Sequence, residues 1–219
     1  MKEAAYLYNV QLPARMHPGQ KYPVLFTLHG KGSNESNMYG LVEELQEHFI
    51  IIGIRGNLVL GNGYQYYDLK SLGNPIREQF DQAMTKLEQF MEQITQEYPI
   101  DEGRRYVLGF SQGAILAMSL ALVMGDRLKG IVALNGYVPE FVKTEYSLRS
   151  TEEVSVFISH GQFDPIFPVE IGHQNADYFN SRTSRVTFHL YPSEHTVSSD
   201  NQRDVIQWLS ADAGLQQQI

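Results

Sequence analysis

The sequence predicts an α/β fold, with a mostly parallel central sheet and helices on both of its faces. Three observations lead there. Short, continuous apolar runs recur at 22–28, 49–54, 130–134 and 154–159. A strand that is apolar on both sides has to be covered on both faces, as the strands of parallel sheets are. Between these runs, apolar residues return every three to four positions, the spacing of helices that bury one side. Finally, 112–124 is apolar almost all round, which fits a helix at the centre of the molecule. Strands and helices in alternation make a parallel sheet wrapped by its own crossovers.

The elements follow in order. Residues 4–12 alternate loosely and read as an edge strand. The run 22–28 is a core strand ending in His29-Gly30. After a loop rich in Gly, Ser and Asn, the spacing of Met38, Leu41, Val42, Leu45 and Phe49 predicts a helix, and the β-branched run 49–54 predicts a buried strand. Gly61-Asn62-Gly63 reads as a surface turn. Ile76, Phe80, Met84, Leu87, Met91 and Ile94 mark one face of a long helix, with Pro75 near its start and Pro99 past its end. Strands are expected at 105–109, 130–134, 154–159 and 185–191, and helices at 112–124, 169–180 and 200–209. The length suits a single domain over 1–219, with about 211–219 as a flexible tail. The segment 135–153 is too short for a large cap domain.

Composition narrows the function classes. At 42% hydrophobic and 19% charged, the chain is too apolar for a disordered protein. It has no cysteine, which removes disulfides, thiolate metal sites and a Cys nucleophile. There is no apolar run of spanning length and no secretory pattern in residues 1–10. The expectation is a cytoplasmic protein without stable membrane insertion. A formal charge of −8 opposes binding to nucleic acid or to anionic lipid. That leaves a small neutral molecule as the natural partner, and nothing in the sequence opposes a homodimer. Neither G-x-x-x-x-G-K-[ST] nor H-E-x-x-H occurs, so P-loop and zinc-peptidase chemistry have no support.

In parallel sheets the ligand sits beyond the carboxyl ends of the strands. Four loops there carry chemistry. Gly109-Phe110-Ser111-Gln112-Gly113 lies between a strand and the apolar helix and reads G-x-S-x-G, the nucleophile elbow. Its glycines allow a sharp turn, and Ser111 sits at a helix N-terminus whose partial positive charge favours a developing oxyanion. The plainer reading is a Gly-rich turn with a capping serine. His29-Gly30-Lys31-Gly32 follows the first core strand. An oxyanion hole needs two convergent backbone N–H groups, and the candidates are Lys31 and Gln112. On its own this loop reads equally well as a flexible segment that merely caps the next helix; the elbow beside it favours the oxyanion hole.

Asp164, followed by Pro165, lies in the loop after 154–159; alone it would be an ordinary Asx-Pro turn. Of the seven histidines only His173, His189 and His195 follow Asp164. His189 falls inside a predicted strand and His173 inside a predicted helix, which leaves His195 in a loop at a strand's carboxyl end. Ser111, Asp164 and His195 then stand in the nucleophile, acid, histidine order of the elbow-bearing hydrolases. Tyr66, Tyr67, Tyr137, Ile166 and Phe167 fall on the same edge and are candidates for a substrate-binding cleft wall, some of them plain packing aromatics.

With these residues in place, the chain from about Tyr22 to Leu209 resembles the phospholipase/carboxylesterase family of α/β-hydrolases, which includes acyl-protein thioesterases. The anchors are Leu28-His29-Gly30-x-Gly32, Gly109-Phe110-Ser111-Gln112-Gly113, His160-Gly161-x-x-Asp164-Pro165 and His195, with Gly63-Tyr64-Gln65-Tyr66-Tyr67-Asp68 weaker. The resemblance implies an α/β-hydrolase fold, and ester or thioester hydrolysis without cofactor or metal. It also implies a triad of Ser111, Asp164 and His195. The chain departs from the family's usual pattern at Tyr66 (usually Trp), Glu194 (usually Gly) and Ser33 (usually Gly or Asp). The expected activity is hydrolysis of short- to medium-chain carboxylic esters through an acyl-enzyme on Ser111. An acyl-protein thioesterase or lysophospholipase-like enzyme is the alternative within the class. A non-catalytic binding protein of this fold is the alternative outside it, and it would have no reason to keep all three triad positions.

Overall fold

A computed structural model describes residues 5–215. Its strands are β1 (Tyr8–Gln11), β2 (Tyr22–Leu28), β3 (Ile50–Ile54), β4 (Leu58–Leu60), β5 (Gly63–Gln65), β6 (Leu69–Ser71), β7 (Asn74–Pro75), β8 (Ile100–Phe110), β9 (Gly130–Leu134), β10 (Ser155–Gly161) and β11 (Val186–Tyr191). Its helices are α1 (Tyr39–Val42), α2 (Arg77–Glu97), α3 (Gln112–Met124), α4 (Glu140–Glu145), α5 (Val169–Asn180) and α6 (Ser199–Asp212). Seven strands form the central sheet in the order β1-β3-β2-β8-β9-β10-β11. β1 runs antiparallel to β3, and every other pair is parallel. This is the α/β-hydrolase architecture without a large cap.

Every residue of β2, β3, β9 and β10 is buried, because each strand feeds two cores. Val24, Phe26 and Leu28 point to the layer of α2 and α3, whereas Leu25 points to the layer holding Leu45, Phe49, Val205 and Leu209. Alternation across the pleat produces this division. Within α3 only Val123 escapes full burial. Its apolar circumference answers to strands beneath it and α2 beside it.

Several expectations are corrected. The helix predicted after the first loop is only α1 plus a 3-10 turn over Glu43–Glu47. The amides of His48 and Phe49 both donate to Leu45 O, a tighter closure that keeps the same apolar residues inside while delivering the chain to β3. β8 starts at Ile100, and its polar residues near the start pass through a register shift against β2, which hid them from a search for apolar runs. The turn expected at Gly61-Asn62-Gly63 is present as the tip of the β4–β5 hairpin, with Gly61 at φ +58°. α6 continues to Asp212, past the expected helix end at 209 and into the stretch expected to be a tail. Asp212 accepts hydrogen bonds from Tyr106 Oη (2.8 Å) and Ser155 Oγ (2.7 Å), and Ala213 is buried. Ala4 and residues 216–219 lie outside the described residues. Among the described residues no helix is long and apolar enough to cross a membrane.

Candidate active site

Ser111 joins β8 to α3 with φ +53° and ψ −114°, a backbone that a non-glycine residue adopts only when its surroundings enforce it. Here the surroundings do. The amide of Ser111 donates to Leu134 O at 2.9 Å. A Cβ on Gly109 would stand 2.1 Å from the carbonyl oxygen of Gly113, and one on Gly113 would stand 2.1 Å from that of Leu28. Only glycines let the strand and helix approach this closely.

His195, in the loop after β11, places Nε2 2.8 Å from Ser111 Oγ and Nδ1 2.7 Å from Asp164 Oδ2. Its ring lies between those of Phe110 and Phe167, with centroids at 5.1 and 5.5 Å. The two loops that carry the acid and the imidazole are bound together through the main chain. Gln162 N donates to Tyr191 O and Phe163 N to Ser193 O. A Cβ on Gly161 would meet Glu194 O at 2.2 Å.

The Asp164 side chain is buried and accepts four hydrogen bonds. Oδ1 takes the amides of Ile166 (2.8 Å) and Phe167 (2.9 Å), while Oδ2 takes Asn135 Nδ2 (2.9 Å) and His195 Nδ1 (2.7 Å). One oxygen thus makes the Asx turn and the other holds the imidazole, so the plain and the chemical readings of this residue are both right. Burial alone would raise the carboxyl pKa. The donors, led by Asn135, outweigh it and hold the group below the ordinary carboxylate range. Glu194 is exposed.

Lys31 and Gln112 flank the serine. Against the loop Gly30-Lys31-Gly32, a Cβ on Gly30 would come within 3.5 Å of Ser111 Cβ. Gly32 has φ +83°, and its amide donates to Tyr64 O at 2.8 Å. Among the described residues, no hydrogen bond engages the main-chain N–H of Lys31 or of Gln112.

The cleft wall is only partly as expected. Tyr137, Ile166 and Phe167 line a cavity of about 400 Å³ together with Leu72, Val138 and Ile171. Tyr66 and Tyr67 do not line it, being 4% and 0% exposed. Tyr66 spends its hydroxyl on Ile54 O and the amide of His29, and the Tyr67 ring packs edge-on against Phe80. A larger recess of about 720 Å³ runs along α2 from Arg77 to Gln89; neither lining includes a triad residue, but Phe167 of the smaller cavity packs edge-on against the His195 ring at 5.5 Å. Among the described residues no group of three or more His, Cys, Asp or Glu is placed to hold a metal ion.

Sequence reasoning missed Asn135, and it singled out His160 only as an anchor of the resemblance, with no role. Asn135 follows β9 with φ +53° and donates to Asp164. The signal was available, since it stands at the carboxyl end of a core strand like the other site residues. His160, buried at the end of β10, gives Nε2–H to Phe167 O at 2.8 Å and braces the acid's turn from below.

This geometry, a serine at a strained strand–helix turn relayed through histidine to a buried carboxylate, agrees with a family model for phospholipase/carboxylesterase that matches residues 16–212. The chain belongs to the phospholipase/carboxylesterase family. It is therefore a serine hydrolase of the carboxylesterase and acyl-protein thioesterase group. MhqD of Bacillus subtilis (strain 168) is 25% identical over 187 residues, 84% of this chain and 91% of that one. An acyl-protein thioesterase 1 of Debaryomyces hansenii is 24% identical over 151 residues, 66% of this chain and 65% of that one. Among solved structures, the Bacillus cereus carboxylesterase superposes with a TM-score of 0.83 at 24% identity, covering 94% of both chains.

Proposed function

We propose that the protein is a serine carboxylesterase acting on short- to medium-chain carboxylic esters through an acyl-enzyme on Ser111. The observation that carries this reading is the unbroken relay Ser111 Oγ–His195 Nε2 (2.8 Å) and His195 Nδ1–Asp164 Oδ2 (2.7 Å). His195 takes the Ser111 proton as the oxygen attacks the ester carbonyl. Asp164, kept ionised by its four donors, fixes the Nδ1–H tautomer and offsets the imidazolium charge. The N–H groups of Lys31 and Gln112 receive the oxyanion, with the N-terminus of α3 adding its dipole. His195 then protonates the departing alcohol, and water enters by the same route to release the acid. The cavity of about 400 Å³ beside Phe167, with Glu140 and Lys143 in its lining as well as Tyr137 and Ile166, supports a short chain.

A panel of acyl esters and thioesters from about two to sixteen carbons tests this. The expected result is highest kcat/KM for the shorter esters. A maximum at long-chain thioesters would move the assignment to acyl-protein thioesterase, the activity named for one relative. Ser111→Ala should abolish turnover while shifting stability by less than about 1 kcal/mol. A fluorophosphonate should label the unmodified protein at Ser111.

A further inference from the structure

The two proposed oxyanion donors stand on separate segments, one in the β2–α1 loop and one at the first turn of α3. Nothing in a serine triad holds them in register. A continuous buried chain of contacts through Tyr66 does. The Gln112 side chain is itself buried, and it grips the segment after β5 twice. Its Oε1 accepts the Tyr66 amide at 2.8 Å, and its Nε2 donates to Tyr67 O at 2.8 Å. From there the Tyr66 hydroxyl accepts the His29 amide at 3.2 Å and donates to Ile54 O at 2.7 Å. The His29 ring lies against the Tyr66 ring at 4.8 Å. Its Nδ1–H donates to Gly30 O at 2.7 Å, and its Nε2 accepts the Gly56 amide at 3.0 Å. Burial favours the neutral imidazole this pattern requires.

We infer that Tyr66 is a positioning residue for the oxyanion hole, its hydroxyl bracing the Lys31 loop against the Gln112 end of α3. His29, Tyr66, Tyr67 and Gln112 are all buried, so the groups that join them cannot exchange their partners for water. Phenylalanine would fill the same space and keep the ring contact with His29. The His29 amide, buried beside it, would lose its acceptor, and the loop would then rely on its main-chain bonds to the β5 segment, Gly32 N to Tyr64 O (2.8 Å) and Tyr64 N to Ser33 O (2.7 Å). Lys31 N–H is two residues along that loop. A donor displaced by a fraction of an ångström still admits substrate but serves the oxyanion less well. The inference rests on the proposed roles of Ser111, Lys31 and Gln112.

The test is Tyr66→Phe, read in three ways. In the unmodified protein a trifluoromethyl ketone is attacked by Ser111 Oγ. The new C–O bond forms, the hydroxyl proton passes to His195, and the ketone oxygen becomes an oxyanion in the hole. In Tyr66→Phe, kcat for an acetate or butyrate ester should fall about tenfold with KM within about twofold, and the ketone's inhibition constant should rise by the same factor as kcat falls. If Tyr66→Phe does not fold, Gln112→Met, which keeps the side-chain volume and removes both grips, is held to the same three readings. Unchanged kcat and ketone affinity in a folded variant would overturn the inference, as would a loss confined to KM. Fluorophosphonate labelling separates the two levels. Ser111 labelled and Tyr66→Phe fully active sinks this inference alone, whereas no label at Ser111 sinks it together with the reading beneath it.

Discussion

The two halves of the catalytic edge are built in different ways. On the β10–β11 side a charge is the organiser, with the Asp164 carboxylate gathering four donors from three segments. On the β2–β3 side the organisers are neutral. His29, Tyr66 and Gln112 pass hydrogen bonds between backbone groups, and the Arg55–Glu35 pair lies at the margin (Nε–Oε2 2.6 Å). The difference matches the work proposed for each half. A carboxylate must stay ionised beside an imidazole that becomes cationic, whereas N–H dipoles must stay aimed at an oxygen that is charged only briefly. Damage on the charged side should therefore be large and dependent on pH, and damage on the neutral side smaller and read mainly in kcat.

The largest effect should come from removing the organising charge. Asp164→Asn should cut kcat by about ten-thousand-fold through the wrong imidazole tautomer. His195→Ala should cost a similar factor, and the double variant should be hardly worse than either, since residues that act as one unit are not additive. Losses that multiply in steady-state kinetics would separate the two residues.

A smaller effect on the same side comes from Asn135→Ala. It removes the foremost of the donors that lower the Asp164 pKa, so that pKa should rise toward the ordinary value. Because a depressed carboxyl stabilises the fold above its unfolded pKa of about 3.9 and loses that contribution as pH falls through its folded value, the variant should unfold at higher pH on acidification. A loss of about tenfold in kcat at neutral pH should accompany it. An acid-unfolding curve identical to that of the unmodified protein would show that Asn135 does not support the charge.

The smallest effect should be Glu35→Gln, which breaks the ion pair with Arg55. That hydrogen bond holds the Glu35 carboxyl below its ordinary range. The variant should lose about 1 kcal/mol above the unfolded pKa of roughly 4.3, and the difference should vanish as pH falls through the folded value. Thermal melts stepped from pH 7 down through the acid range measure it.

Most of the frame was legible because burial on both faces leaves an unmistakable pattern. The segments 112–124, 130–134 and 169–180 have the expected bounds. Ser111, Asp164 and His195 were placed by chain order and strand ends, and the structure brings them within hydrogen-bond reach. What stayed hidden was the direction of side chains in loops. Tyr66 and Tyr67 stand on the catalytic edge but turn into the core, and a periodicity argument has no purchase on a segment between two short hairpins. Asn135 carried no motif, only its place at the carboxyl end of a core strand. Its role lies in a left-handed backbone that aims one amide at a carboxylate 29 positions away, and spacing does not reveal such a contact. The end of α6 was missed because Asp212 is secured by Tyr106 and Ser155 rather than by apolar burial.

The left-handed turn at Ser111 also decides which atoms can be offered as the nucleophile. A second heavy atom on Cβ crowds the main chain wherever φ is positive, which makes such a residue a genuine outlier there. Threonine, chemically the nearest alcohol, is thereby the poorest replacement, while cysteine, chemically more distant, fits the same backbone. The choice of alcohol at this position is made by the shape of the peptide chain before any chemistry takes place.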